Sequence, residues 1–154
     1  ILLAELIKEE LSAIDTKNNA SYSAAAESFI KELQALDVSI RNKTKDLKKR
    51  DLIVSHPSWS YFAAEYGFTQ TSIEQQGKEI QASSMMKLIK IVKEKKVKAI
   101  FSQPQFNDKA AEIIANEVNA EVIDLDPLAF DYFKNLNQVT DNIVRGLSDE
   151  QCCN

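Results

Sequence analysis

The spacing of apolar residues changes period once along this chain, at about residue 50. Before that point the repeat is helical. Leu3, Leu6, Ile7, Leu11 and Ile14 predict a first helix over about residues 2 to 14, and the polar stretch Asp15 to Asn19 ends it. Tyr22, Ala26, Phe29, Leu33, Leu36, Ile40 and Leu47 then mark one stripe of a second helix to about residue 48. At ~1.5 Å per residue that helix is roughly 40 Å long. It overshoots a small domain, and reads either as a bridge between two lobes or as a long flanking helix of one domain.

From Asp51 the pattern becomes short β runs alternating with helical stretches. The strands expected are Leu52 to Ser55, Thr69 to Ile73, Ala99 to Ser102 and Glu121 to Leu125, with helices near 58–66, 83–95, 107–118 and 130–146. Strands separated by helices require crossover connections, which are right-handed and give parallel pairing. The expected fold class is therefore α/β: a four-stranded, mainly parallel sheet with helices on both faces, preceded by the long helix. Two segments follow, a helical one over 1–48 and an α/β lobe over 49–154.

The prolines sharpen this picture. All three lie just past an expected strand, in Ser55-His56-Pro57, Ser102-Gln103-Pro104 and Leu125-Asp126-Pro127. Proline cannot continue a central strand but suits a turn or a helix start. The residue before each proline is thus held at a strand's carboxyl end, and in a parallel sheet those ends share one edge. His56, Gln103 and Asp126 are expected to face one crevice there, where open α/β sheets bind ligands.

Composition excludes several function classes. With 154 residues, 44% hydrophobic and 27% charged, the chain has the make-up of one globular domain. Its net charge is −4, and its basic clusters (Lys43 to Arg50, Lys93 to Lys98) fall at helix C-termini, where cations favour the dipole. No aromatic ladder accompanies them, so nucleic acid is not an expected partner. The glycines Gly67, Gly77 and Gly146 stand alone, without a phosphate loop or dinucleotide fingerprint. Cys152 and Cys153 are adjacent and cannot staple distant parts of a fold. The chain lacks an initiator methionine and begins inside an apolar pattern, which reads as a fragment of a longer protein.

His56 is the only histidine. Neutral imidazole and carboxylate are both zinc ligands, and zinc usually takes four, so His56 and Asp126 would be half a site. Spacing alone leaves other readings open. His56 and Asp126 could serve a hydrolase or metal-dependent enzyme, or be a merely structural pair in a regulatory or adaptor domain. A proton relay from Ser55 to His56 is awkward, since neighbouring strand residues point to opposite faces. Trp59 and Tyr61, in a helix start after the histidine, read as packing residues.

The segment from Leu52 to Phe68, with His56-Pro57-Ser58-Trp59 at its centre, resembles the ligand-bearing strand and aromatic helix of the ZnuA-like solute-binding proteins of metal ABC importers. Ile100 to Phe106 is similar to that family's third strand and loop of the C-terminal lobe, and Asp124-Leu125-Asp126-Pro127-Leu128 to the loop with its acidic ligand. The resemblance runs in order from the first residue to about Leu147. It implies a two-lobed protein whose long helix joins the lobes and whose metal lies between them. Two further ligands would come from an N-terminal lobe that this chain lacks. His56 would be the third ligand and Asp126 the fourth, with Asp124 a competitor.

Manganese-type members tend to carry glutamate in place of His56, and imidazole suits zinc, so Zn²⁺ is expected before Mn²⁺. The implied partners are the metal ion and a membrane permease. The protein would be a monomer, periplasmic or lipid-anchored on the outer face, and not an enzyme. Binding should weaken as pH falls through the histidine range, because only neutral imidazole ligates metal. Gln103 departs from the family, where many members have glutamate, and the cysteine tail does not reproduce the disulfide of some relatives.

Overall fold

A computed structural model describes residues 1–74, 80–106 and 108–148. Gly77, Cys152 and Cys153, and the expected start of a helix at 107, lie outside the described residues. The chain divides into two units, Ile1–Asn42 and Lys43–Asn154.

The first unit is helical. Helix α1 (Leu2–Ile14) has the expected bounds. Its apolar stripe, from Leu2 and Leu3 through Leu6, Ile7 and Leu11 to Ile14, is exposed. A single 3-10 turn at Thr16–Asn18 leads into α2 (Asn19–Thr44). The junction is organised by Asp15, whose carboxylate accepts hydrogen bonds from Asn18 Nδ2 at 2.7 Å and Tyr22 Oη at 3.0 Å. Those two donors, Asn18 first, hold its carboxyl below the usual carboxylate range. Helix α2 ends at Thr44 rather than near 48, and Leu47 instead closes a turn through its N–H to the Thr44 carbonyl.

The second unit is the α/β lobe. Strands β1 (Asp51–Val54), β2 (Thr69–Ser72), β3 (Ala99–Ser102) and β4 (Glu121–Asp124) form a four-stranded sheet in the order β2-β1-β3-β4. Every pairing is parallel. The inner strands β1 and β3 are almost wholly buried, whereas the edge strands are polar and partly exposed, which is why only the former read as continuous apolar runs.

Helices α3 (Ser60–Tyr66), α4 (Ala82–Glu94), α5 (Lys109–Val118) and α6 (Tyr132–Leu147) cover the sheet on both faces. Alternate strand residues divide the core accordingly. Leu52, Val54, Phe101 and Ile123 pack with Ala63 of α3 and Val139, Ile143 and Leu147 of α6. Ile53 and Ile100 pack with Leu88 and Val92 of α4 and Ala111, Ile114 and Ala115 of α5. Helix α6 sits close to the sheet through Gly146, where an added Cβ would lie 2.7 Å from Ala99 Cβ and 2.9 Å from Phe101 Cζ.

This strand order fixes where a ligand fits. From β1 the chain turns outward to β2, then crosses back over β1 to β3 and continues to β4. The connections leave the carboxyl ends of β1 and β3 in opposite directions, and such a reversal opens a crevice between them.

Candidate metal site at the carboxyl edge

His56 stands two positions beyond β1. The ladder continues briefly past the strands: Ser55 N–H donates to Phe101 O at 2.9 Å, and Glu74 N–H to Ser55 O at 3.0 Å. Pro57 then breaks the strand direction, and Ser58 N–H closes back on His56 O at 2.9 Å. His56 is therefore fixed at the switch point by core strands beneath it. Its side chain is 24% exposed, and its ring lies against Phe106, from the loop after β3, with centroids 4.0 Å apart.

The Nδ1 atom of His56 meets the Glu74 carboxylate, which stands two positions beyond β2. Sequence reasoning passed over Glu74. A signal existed: Glu74 follows its strand by the same offset as His56 follows β1, and the strands pair Val54 with Ser72. That pairing is a matter of register, which composition and spacing do not print.

At the other end, Asp126 stands two positions beyond β4. Its Oδ1 accepts from Leu128 N–H at 2.8 Å, an Asx-type turn, and from Gln105 Nε2 at 2.5 Å. Its carbonyl accepts from Asn135 Nδ2 of α6 at 2.8 Å. The half-buried carboxylate keeps Oδ2 outside those hydrogen bonds. Asp126 also lines a cleft of about 240 Å³ beside α6, with Asp124, Ala129, Asn135, Gln138, Val139 and Asn142. His56 is not among its walls.

Further side chains at this edge bear on the expectations, and that for Tyr61 changes. Gln103 lies on the expected edge, where its side chain is buried and donates from Nε2 to Ser58 Oγ, two positions past His56, at 2.6 Å. Tyr61 is 94% exposed and packs nothing, whereas Trp59 is buried in the core as expected. Both stand at the start of one short helix, and its facing, not aromatic character, decides which is covered. Asp124, the competing carboxylate, is exposed and accepts on Oδ1 from Ser102 Oγ of the neighbouring strand at 2.5 Å.

Among the described residues, no three His, Cys, Asp or Glu side chains gather closely enough to hold a metal ion. Parallel neighbours are ~4.8 Å apart, so His56 and Asp126, separated by β3, start from backbones roughly 10 Å apart. The arrangement is an open pair of ligand types flanking the end of β3, with Glu74 behind the imidazole.

Among known proteins, the model of the family described as zinc-uptake complex component A, periplasmic, matches residues 1–146. The high-affinity zinc uptake system protein ZnuA of Bacillus subtilis is 30% identical over 122 residues, covering 78% of this chain and 37% of that protein. The iron-binding protein YfeA of Yersinia pestis is 26% identical over 162 residues, 95% of this chain and 51% of that one. A crystal structure of a ZnuA deletion mutant with zinc bound superposes with a TM-score of 0.88 at 37% identity, covering 94% of this chain and 56% of that one. The chain thus spans between about a third and a half of the curated relatives named here.

Proposed function

This chain belongs to the ZnuA family of periplasmic zinc-uptake components, and on that footing we propose that its α/β lobe carries half of a transport site for Zn²⁺. The whole protein is an extracytoplasmic solute-binding component of an ABC importer. It captures the ion between two lobes and passes it to the membrane permease. Its long helix α2 is the link between lobes, and the other lobe supplies the remaining ligands. The chemistry is capture and release: the ion exchanges hydration water for imidazole and carboxylate, with no covalent step.

His56 Nε2 and Asp126 Oδ2 are the ligand atoms in this reading. The observation that carries it is that both residues stand two positions beyond inner and edge strands of one parallel sheet, His56 Nε2 and Asp126 Oδ2 lying outside the hydrogen bonds and ion pairs found among the described residues. From that spacing the two side chains can reach inward to one ion above the end of β3. An imidazole in the set favours zinc over manganese. The iron-binding name of one relative makes metal choice a matter for measurement.

Zinc titration calorimetry on the protein and on His56→Ala and Asp126→Ala tests the assignment. Loss of a direct ligand should exceed the about 10- to 100-fold weakening typical of losing an outer partner. Unchanged affinity in His56→Ala would overturn it.

A further inference from the structure

We propose that Glu74 is the positioning residue of the site, holding His56 Nδ1 so that Nε2 is presented to the metal. The inference rests on the reading of His56 as a ligand and adds a function for a residue that the ligand set does not use.

Three observations carry it. The β1–β2 register, continued by Ile73 N–H to Val54 O at 2.8 Å and Glu74 N–H to Ser55 O at 3.0 Å, brings Glu74 beside His56 through backbone alone. The carboxylate meets Nδ1 and not Nε2, so in the neutral ring the proton sits on Nδ1 and the lone pair on Nε2. Both side chains are mostly covered, 24% and 20% exposed, and Phe106 lies against the imidazole, so the ring has little freedom to flip. Metal-bound histidines commonly donate their other N–H to a carboxylate, which fixes tautomer and orientation and raises ligand basicity. A metal ligand role for Glu74 itself is disfavoured by the direct carboxylate–Nδ1 contact, which leaves no room for an ion between them.

In this chain His56 is the only histidine, so its imidazole ¹⁵N resonances can be read there without assignment. In metal-free protein, at a pH where the ring is neutral, the expected wild-type form is Nδ1–H. In Glu74→Ala it should pass largely to Nε2–H, and Glu74→Gln should retain Nδ1–H because its amide carbonyl still accepts. Zinc affinity should fall about 10- to 100-fold in Glu74→Ala and recover in part in Glu74→Gln.

An Nε2–H ring in the wild-type protein overturns the inference without any variant, so a failure of Glu74→Ala to fold does not rescue it. An unchanged tautomer with weakened zinc binding would make Glu74 a direct ligand, and also overturns it. If His56→Ala loses zinc while Glu74→Ala keeps both tautomer and affinity, this inference alone fails. If His56→Ala binds zinc normally, the transport-site reading fails first.

Discussion

The two ends of the sheet's carboxyl edge are built differently. At the β1 end, His56 rises from an almost wholly buried strand, with a carboxylate on one nitrogen and an aromatic ring against its face. At the β4 end, Asp126 sits in a turn beside an edge strand, held by its own loop and by Gln105. The first end is fixed by long-range structure, through pairing of β1 with β2 and β3. The second is fixed by side-chain hydrogen bonds around a turn: one local, from Leu128 N–H, and two from farther along the chain, from Gln105 and Asn135. In the proposed transport site, which would have to orient its ligands and release its cargo, orientation would fall to His56 and adaptability to Asp126.

The largest effect should come from disturbing the platform under both ends. Gly146→Val would force a side chain into Ala99 and Phe101, displacing α6 from β3 and β4. Overpacking of this kind costs about 1–3 kcal/mol or more. Chemical denaturation should show the loss, and zinc binding should weaken with it.

Asp126→Asn separates the two roles of the adaptable end. Its amide oxygen still accepts from Leu128 N–H, so stability should stay within about 0.5 kcal/mol of wild type. Zinc affinity should nevertheless fall by more than about 100-fold, because the proposed ligand oxygen is replaced by an amide nitrogen that cannot ligate. A large stability loss would mean that the charge, not the turn, holds the loop.

Asp131 caps α6 by accepting from Lys134 N–H at 3.0 Å. Asp131→Ala should cost about 1 kcal/mol in a thermal or denaturant melt while leaving the His56 end unaltered. Equal perturbation of the His56 ¹⁵N signals would show that the two ends are not independent.

The smallest effect belongs to the helical unit and supplies a control. Asp15 is held below its ordinary pKa chiefly by Asn18, then by Tyr22. Its carboxylate therefore binds fewer protons folded than unfolded. The stability it adds is present above the unfolded-state value and is lost as pH falls through the folded one. Asp15→Ala should flatten the acid limb of a stability–pH curve slightly and leave zinc binding unchanged.

The parts of this architecture that follow from local pattern were legible in the sequence. The four strands and their intervening helices fell within a few residues of their observed bounds, because the inner strands are short apolar runs and prolines mark the ends of β1, β3 and β4. The common edge of His56, Gln103 and Asp126 followed from topology. What was not legible depends on side chains meeting across elements. Glu74 became visible only through the register of β1 with β2, and the burial of Gln103 only through Ser58 on the neighbouring loop. Helix α1 shows the same gap: its periodicity predicts a helix, but the exposure of its stripe is not a property of the sequence pattern.

The central claim is that His56 and Asp126 hold one ion above the end of β3. Zinc-edge anomalous diffraction from crystals of the protein grown with Zn²⁺ tests it most directly. The account predicts one peak about 2.0–2.2 Å from both His56 Nε2 and an Asp126 carboxylate oxygen. A zinc peak bound through His56 Nδ1, or one that engages neither residue, would contradict it.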